Sequence, residues 1–317
     1  MTAETTTARN WPVIPYTDWQ DTAAALHLYL QIVGKYRLAH TPWVNHSWHA
    51  TFYPTPRGLT TSLTPDGDGG IEIQFDFVDH VVRGICGSGT VSEFRLQPMS
   101  VADFHARFIA LVAELGGSPR FHGRPNELPT NTPFVDDTAT RPYDADAIGR
   151  FHRAMKSISH VFQDFRTGFR GKVSPVHLFW GSFDLAVTRF SGRAAPLHPG
   201  GFPNLPDNIT QEAYSHEVSS AGFWAGGGPV EEAAFYSYAY PSPDGFADAA
   251  VRPEAAYFDK DFGEFVLTYE AVRTSPDPAA TLMAFLESTY DAAASLGDWD
   301  RSLECDRGQK GKPLPLD

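Results

Sequence analysis

Cysteine is nearly absent: Cys86 and Cys305 are the only two in 317 residues, and they stand far apart. That excludes a disulfide framework and a paired-cysteine metal motif, and it points to a reduced, cytoplasmic setting. No apolar run approaches the roughly 20 residues that a membrane span needs. The start, Met1-Thr-Ala-Glu-Thr-Thr-Thr7, has neither a basic n-region nor an apolar core, so no secretory signal is expected. No cluster of Lys and Arg stands out, and the net charge is −13. A polyanion would meet that field head-on, so neither nucleic acid nor a membrane is expected as a partner. Three signatures are also missing: a Gly-x-Gly-x-x-Gly after a strand, a phosphate loop ending Gly-Lys-Ser/Thr, and a Gly-x-Ser-x-Gly elbow. No nucleotide or flavin motif is therefore present.

What is there suits a folded chain. Hydrophobic residues make up 42% and charged residues 20%, an ordinary globular balance with a core large enough to need no staples. Residues 1–10 read as disordered, and 11–15 as an extended entry. Leu26, Leu30, Val33 and Tyr36 mark one stripe of a helix over 18–38. The period then drops to two. Strands are expected at 45–53, 58–64, 71–78, 80–86 and 91–97, separated by Gly/Pro/Asp turns. Ser100 caps a helix carrying Phe104, Phe108, Leu111 and Leu115 on one face. A proline-punctuated connector spans 121–143. Asp144 opens the strongest amphipathic helix, with Ile148, Phe151, Met155, Ile158, Phe162, Phe165 and Phe169 along one seam. Strands return at 173–180 and 182–190. Segment 192–230, rich in Gly and Pro, reads as a long surface loop. Strands at 233–240 and 262–269, a helix at 279–296 and a flexible tail from 300 complete the chain.

The order repeats. His46-Ser-Trp-His-Ala-Thr-Phe-Tyr53 aligns without a gap on His177-Leu-Phe-Trp-Gly-Ser-Phe-Asp184, and Ser92–Leu96 on Gly263–Leu267. The fold class is α+β, in two pseudo-repeated halves, 11–120 and 144–299. Each half is a long helix, an antiparallel β-meander and a closing helix. Chance similarity between amphipathic elements is the rival explanation. Halves packed about a pseudo-two-fold would bring His46 and His177 towards one cleft.

Four stretches carry a resemblance: Ser174–Asp184, Thr188–Arg193, Tyr214–Trp224 and Phe235–Pro241, together with His122-Gly-Arg-Pro-Asn-Glu127. In them the chain resembles, from Trp11 to Trp299, an uncharacterised bacterial family known only as a domain of unknown function, family 5996. The resemblance implies one architecture over the whole length and brings no catalytic assignment.

The candidate catalytic residues are His177, Asp184, His216 and Glu217. In a tight hairpin, 177 and 184 stand nearly opposite, where the carboxylate would orient the imidazole. The plainer reading is a buried pair that fixes register. His216-Glu217 falls in the Gly-bounded loop, beside Phe223-Trp224 and Gly226-Gly-Gly228, which reads as an aromatic lid. Arg189 and Arg193 suit a carboxylate or phosphate. Trp180, Trp224, Tyr236 and Tyr238 suit stacking, and His46, His122, Asn126 and Glu127 would line the cleft from the other side. His46 and His49, three apart on a strand, would face opposite ways and share no ion. A divalent metal on histidines elsewhere stays open. The expected activity is small-molecule chemistry, by general acid/base catalysis or with a metal, in a cleft between the halves. Small-ligand binding or sensing in the same aromatic pocket is the alternative.

Overall fold

In the computed structural model the described residues are 10–227 and 230–305. The first nine residues, Gly228 of the expected hinge and the tail beyond 305 lie outside them. Helix α1, Gln20–His40, differs from the single stripe expected. Leu28 through Arg37 are buried without a break, so this stretch of the helix is enclosed on all sides, while Ala24 and Leu38 stay exposed. Strands β1 (Tyr53–Thr55), β2 (Gly58–Thr60), β3 (Ile71–Asp76), β4 (Val81–Cys86) and β5 (Val91–Arg95) form one antiparallel meander in chain order. Helix α2, Val101–Glu114, starts where Ser100 Oγ accepts from the Asp103 amide at 3.0 Å. Its Phe104 ring stacks on Tyr29 of α1 at 4.2 Å and is 6.1 Å from Phe75 of β3, closing the first core.

Helix α3, Ala145–Arg166, is capped by Asp144, as its sequence predicts, through the Ala147 amide at 2.9 Å. The second sheet follows: β6 (His177–Phe179), β7 (Asp184–Ala194), β8 (His216–Trp224), β9 (Ala234–Tyr240), β10 (Tyr257–Asp259) and β11 (Glu264–Thr268). It is antiparallel, in the order β10-β11-β9-β8-β7-β6. Between β7 and β8 sits the short helix α4, Asp207–Ala213. After β11 come α5, Tyr269–Arg273, and α6, Pro278–Leu296, the latter with Asp277 as cap and proline in its first turn. The two sheets meet edge to edge at one bridge. The Phe52 and Leu178 amides each donate to the other's carbonyl, at 3.0 and 2.8 Å. Both cysteines are free. Among the described residues no helix is long and apolar enough to cross a membrane.

Two expectations fail here for physical reasons. The strand expected at 45–53 is absent over 45–51, and extended pairing begins only at Phe52 and Tyr53. Asn45–Ser47 is a 3-10 turn with His46 and Ser47 in the left-handed region, φ 58° and 57°, held because both Glu212 carboxylate oxygens accept from the His46 amide. The alignment of 46–53 on 177–184 therefore sets a turn against a strand. Segment 192–230 is not a loop either: it holds the end of β7, then α4 and β8. Its small residues form a strand because they lie beneath tyrosines. A Cβ on Gly222 would collide with the Tyr236 ring across the ladder.

Candidate functional site

Strand periodicity sorts the second sheet into two unlike faces. One face packs on helices. There Arg189 is fully buried, its guanidinium 3.6 Å from the Phe165 ring and 4.2 Å from Tyr290. The register places Asp184 opposite Trp224, Gly222 opposite Tyr236 and Ser220 opposite Tyr238, and these share the other face. Val266 lies opposite Tyr236, so Glu264, two residues earlier on β11, belongs to the same face.

Polar side chains on that face find one another. The Tyr236 hydroxyl and the Ser182 hydroxyl each donate to the Asp184 carboxylate. Tyr214 and Tyr238 join hydroxyls at 2.8 Å, and Thr188 and Ser220 do the same at 2.8 Å. The Trp224 ring lies 4.3 Å from Tyr236. The cover comes from distant segments. Residue 126 is clamped to α1 by two bonds: its amide donates to Gln31 Oε1 at 2.7 Å, and Gln31 Nε2 donates back to its carbonyl at 2.8 Å. Asn126 Nδ2 also donates to the Asn204 carbonyl at 2.6 Å, while Asn204 Nδ2 donates to the Leu128 carbonyl at 2.8 Å. That clasp sets Glu127 against Gly181, where any side chain would strike its carboxylate. Lys35 reaches over from α1, donating to Asn126 Oδ1 with its ammonium 5.4 Å from the Trp180 ring.

Burial displaces the protonation of all these groups. It raises the Asp184 carboxyl, against the pull of the Ser182 and Tyr236 hydrogen bonds. Glu127 is pushed up to about 7 by burial and then by Asp184, with Lys35 opposing. Glu264 is pushed up to about 8 by burial, then by Asp184 and Asp259. Lys35 is lowered to about 8 by burial, with Glu127 opposing. Tyr214 and Tyr236 are raised well above the ordinary phenol value by burial. Burial thus moves the Glu127 and Glu264 carboxyls up and the Lys35 amine down, all towards neutrality.

Of the residues singled out from sequence, Asp184, Trp180, Trp224, Tyr236, Tyr238, Asn126 and Glu127 come together here. His177 does not pair with Asp184. Phe179 stands opposite Asp184, and His177 opposite Ala186, two positions along. The His177 ring is fully buried 4.5 Å from Phe179, and neither ring nitrogen has a hydrogen-bond partner among the described residues. Burial and then Arg166 lower it to about 3, so it is a neutral core side chain. His216 and His46 form a separate group, ring centroids 6.2 Å apart. There His46 Nδ1 meets the Ala213 carbonyl at 2.9 Å and Nε2 accepts from Lys172. Glu217 is taken by Arg193 at 2.6 Å, and Arg193 continues to the Gly297 and Asp298 carbonyls beyond the end of α6. Glu217 faces away from Asp184 on the Arg189 side, whereas His216 shares the face of Trp224 but stands at the other end of β8, away from Asp184. Phe223 and Trp224 are strand residues, buried rather than hinged. His122 lines a different groove with His105. Sequence reasoning missed Lys35, Glu264 and Ser182. Lys35 left a signal: a single charge inside the apolar run Leu28–Tyr36.

A family model described as a family of unknown function, DUF5996, matches residues 11–305. The chain belongs to DUF5996. The match spans both sheets and every residue of the Asp184 face named above. Among curated proteins and among solved structures, nothing matches the chain significantly. Among its described residues this DUF5996 chain has no group of three or more His, Cys, Asp or Glu side chains placed to hold a metal ion.

Proposed function

We propose that the Asp184 face is an acid–base site for a small molecule, built between the two halves of the chain. Glu127 and Glu264 exchange protons with the bound molecule, Lys35 supplies a compensating charge, and Tyr236 with Ser182 holds Asp184 in place. One observation carries the reading. Glu264 shares the face of Asp184 and Glu127 is set against Gly181, and burial first, then Asp184, pushes the two glutamates up, to about 7 for Glu127 and about 8 for Glu264. The aromatic cover supports a second reading, in which the same site binds or senses a ligand without turning it over.

A duplication of the helix–meander–helix unit fits this placement. Lys35 comes from the first half, Glu127 from the connector and the rest from the second sheet. The element order favours the duplication, with β10 an added edge strand. A cytoplasmic protein acting on small molecules, without nucleic-acid or membrane partners, agrees with the charge of −13.

Carboxyl carbon NMR across pH tests the reading. In the wild-type chain Glu127 and Glu264 titrate near neutrality, and in Asp184→Asn both move down by the smaller share that Asp184 contributes, burial still holding them above the ordinary carboxylate range. Two glutamates titrating normally in the folded wild-type chain would remove its basis. A thermal-shift screen of small molecules follows, with mass spectrometry of each stabilising compound after incubation. Conversion abolished by Glu127→Gln supports the enzyme, and recovery unchanged supports the binding protein.

A further inference from the structure

A groove lies between α2 and the connector and uses none of the residues of the Asp184 face, Glu127 following its Arg124 by three positions along the connector. Its volume is about 570 Å³, within the size range of small-molecule sites. One wall is α2, where His105 and Ile109, four residues apart, stand on one side of the helix. The other wall is the connector. Its two limbs are tied by the Phe134 amide donating to the Gly123 carbonyl at 2.9 Å and by Arg124 donating to the Asn131 carbonyl. Phe134 is buried and anchors the turn, which leaves Val135 58% exposed at the rim. The Phe121 ring is edge-on to His105 at 5.6 Å.

The charge of this lining runs against the rest of the chain. The protein has 38 acidic and 25 basic residues, yet the groove presents Arg120, Arg124, His105 and His122 and no carboxylate. Between the cations lies an apolar surface of Ile109, Phe121, Pro119, Pro133 and Val135. Two guanidiniums beside an apolar bed match one ligand chemistry: an anionic oxygen head group on a flat apolar body. We propose that this groove binds such an organic anion, with the head group on Arg120 and Arg124 and the body against Phe121 and Ile109. A polyanion is disfavoured, because beyond about 10 Å the acidic remainder of the surface repels charge that the two arginines cannot reach.

The test uses the full-length chain and three calorimetric probes: 1-naphthoate, 1-naphthyl phosphate and the neutral 1-naphthylmethanol. The two anions bind saturably, the alcohol binds at least about tenfold more weakly, and Arg120→Ala/Arg124→Ala brings the anions down to the level of the alcohol. Whichever anion is tighter assigns the head group. Arg95→Ala, an exposed arginine on β5 away from the groove, leaves all three affinities unchanged. Val135→Glu, which places a carboxylate at the rim, weakens the anions and spares the alcohol. Absence of saturable binding, equal affinity for alcohol and anions, or an equal loss in Arg95→Ala each overturns the proposal. These arms read anion binding in the groove and not the titration of Glu127 or Glu264, so a failure here leaves the Asp184 reading to its own NMR test.

Discussion

Replacing His177 with leucine should stabilise the protein and flatten its response to acid. The imidazole is fully enclosed, and neither nitrogen has a hydrogen-bond partner among the described residues. A buried polar group left unpaired costs about 1–3 kcal/mol, and leucine of similar volume removes that cost. A net gain of about 1–2 kcal/mol is expected at pH 7.5, after allowing for imperfect packing. The pH dependence is the sharper readout. His177 titrates at about 3 in the folded chain against 6.5 when free. With the folded value depressed, the unfolded chain binds the extra proton, so this stability is present above pH 6.5 and drains away as pH falls towards 3. At pH 4.5, two units into that window, the imidazole costs about 2.7 kcal/mol. Urea unfolding followed by tryptophan fluorescence at pH 7.5 and 4.5 measures both. The gap between the two pH values should shrink by about that amount in the leucine variant. A variant less stable at pH 7.5, with an unchanged gap, would show that the ring is satisfied by something the packing does not reveal, and the reasoning would fail.

Glu264→Gln should act in the opposite direction on the pH axis. The folded pKa is raised to about 8, so the wild-type chain loses stability as pH climbs from the free glutamate value through 8. The glutamine variant should match wild type at pH 4 and exceed it at pH 8 by at most about 4 kcal/mol, read from the same urea curves. Gly222→Ala should lower the melting temperature, costing about 1–3 kcal/mol as the new methyl displaces Tyr236 from Asp184. Calorimetry measures the loss, and an unchanged melting temperature would contradict the close packing. Arg193→Ala should cost under about 1 kcal/mol for the half-exposed ion pair with Glu217, while hydrogen exchange at the end of α6 speeds up because its carbonyl partners are lost.

The helices were legible because their signals are local. Ser100 and Asp144 bond the amides three residues on, and the seam from Ile148 to Phe165 is buried as its spacing requires. The first meander from β2 to β5 was legible for the same reason. What failed depended on partners far along the chain. His46 turns because Glu212 holds its amide, 166 residues away. The run Ser219-Ser-Ala-Gly222 looks like linker by composition, yet it is a central strand because tyrosines of β9 need small neighbours beneath them. Asp184 was singled out with the wrong companion. A hairpin register two positions off the assumed one put Phe179 opposite it and left histidine on a neighbouring pair. Glu127 was found in the connector, but Lys35 and Glu264 meet it only through packing, which no spacing rule encodes.

The Phe52–Leu178 bridge leaves each sheet with a seam rather than an open flank on its inner side. Cutting the chain within the connector would bare two unsatisfied ribbons at once. Each fragment made alone should then stick to copies of itself, whereas fragments made together should zip along that seam and restore the native pairing.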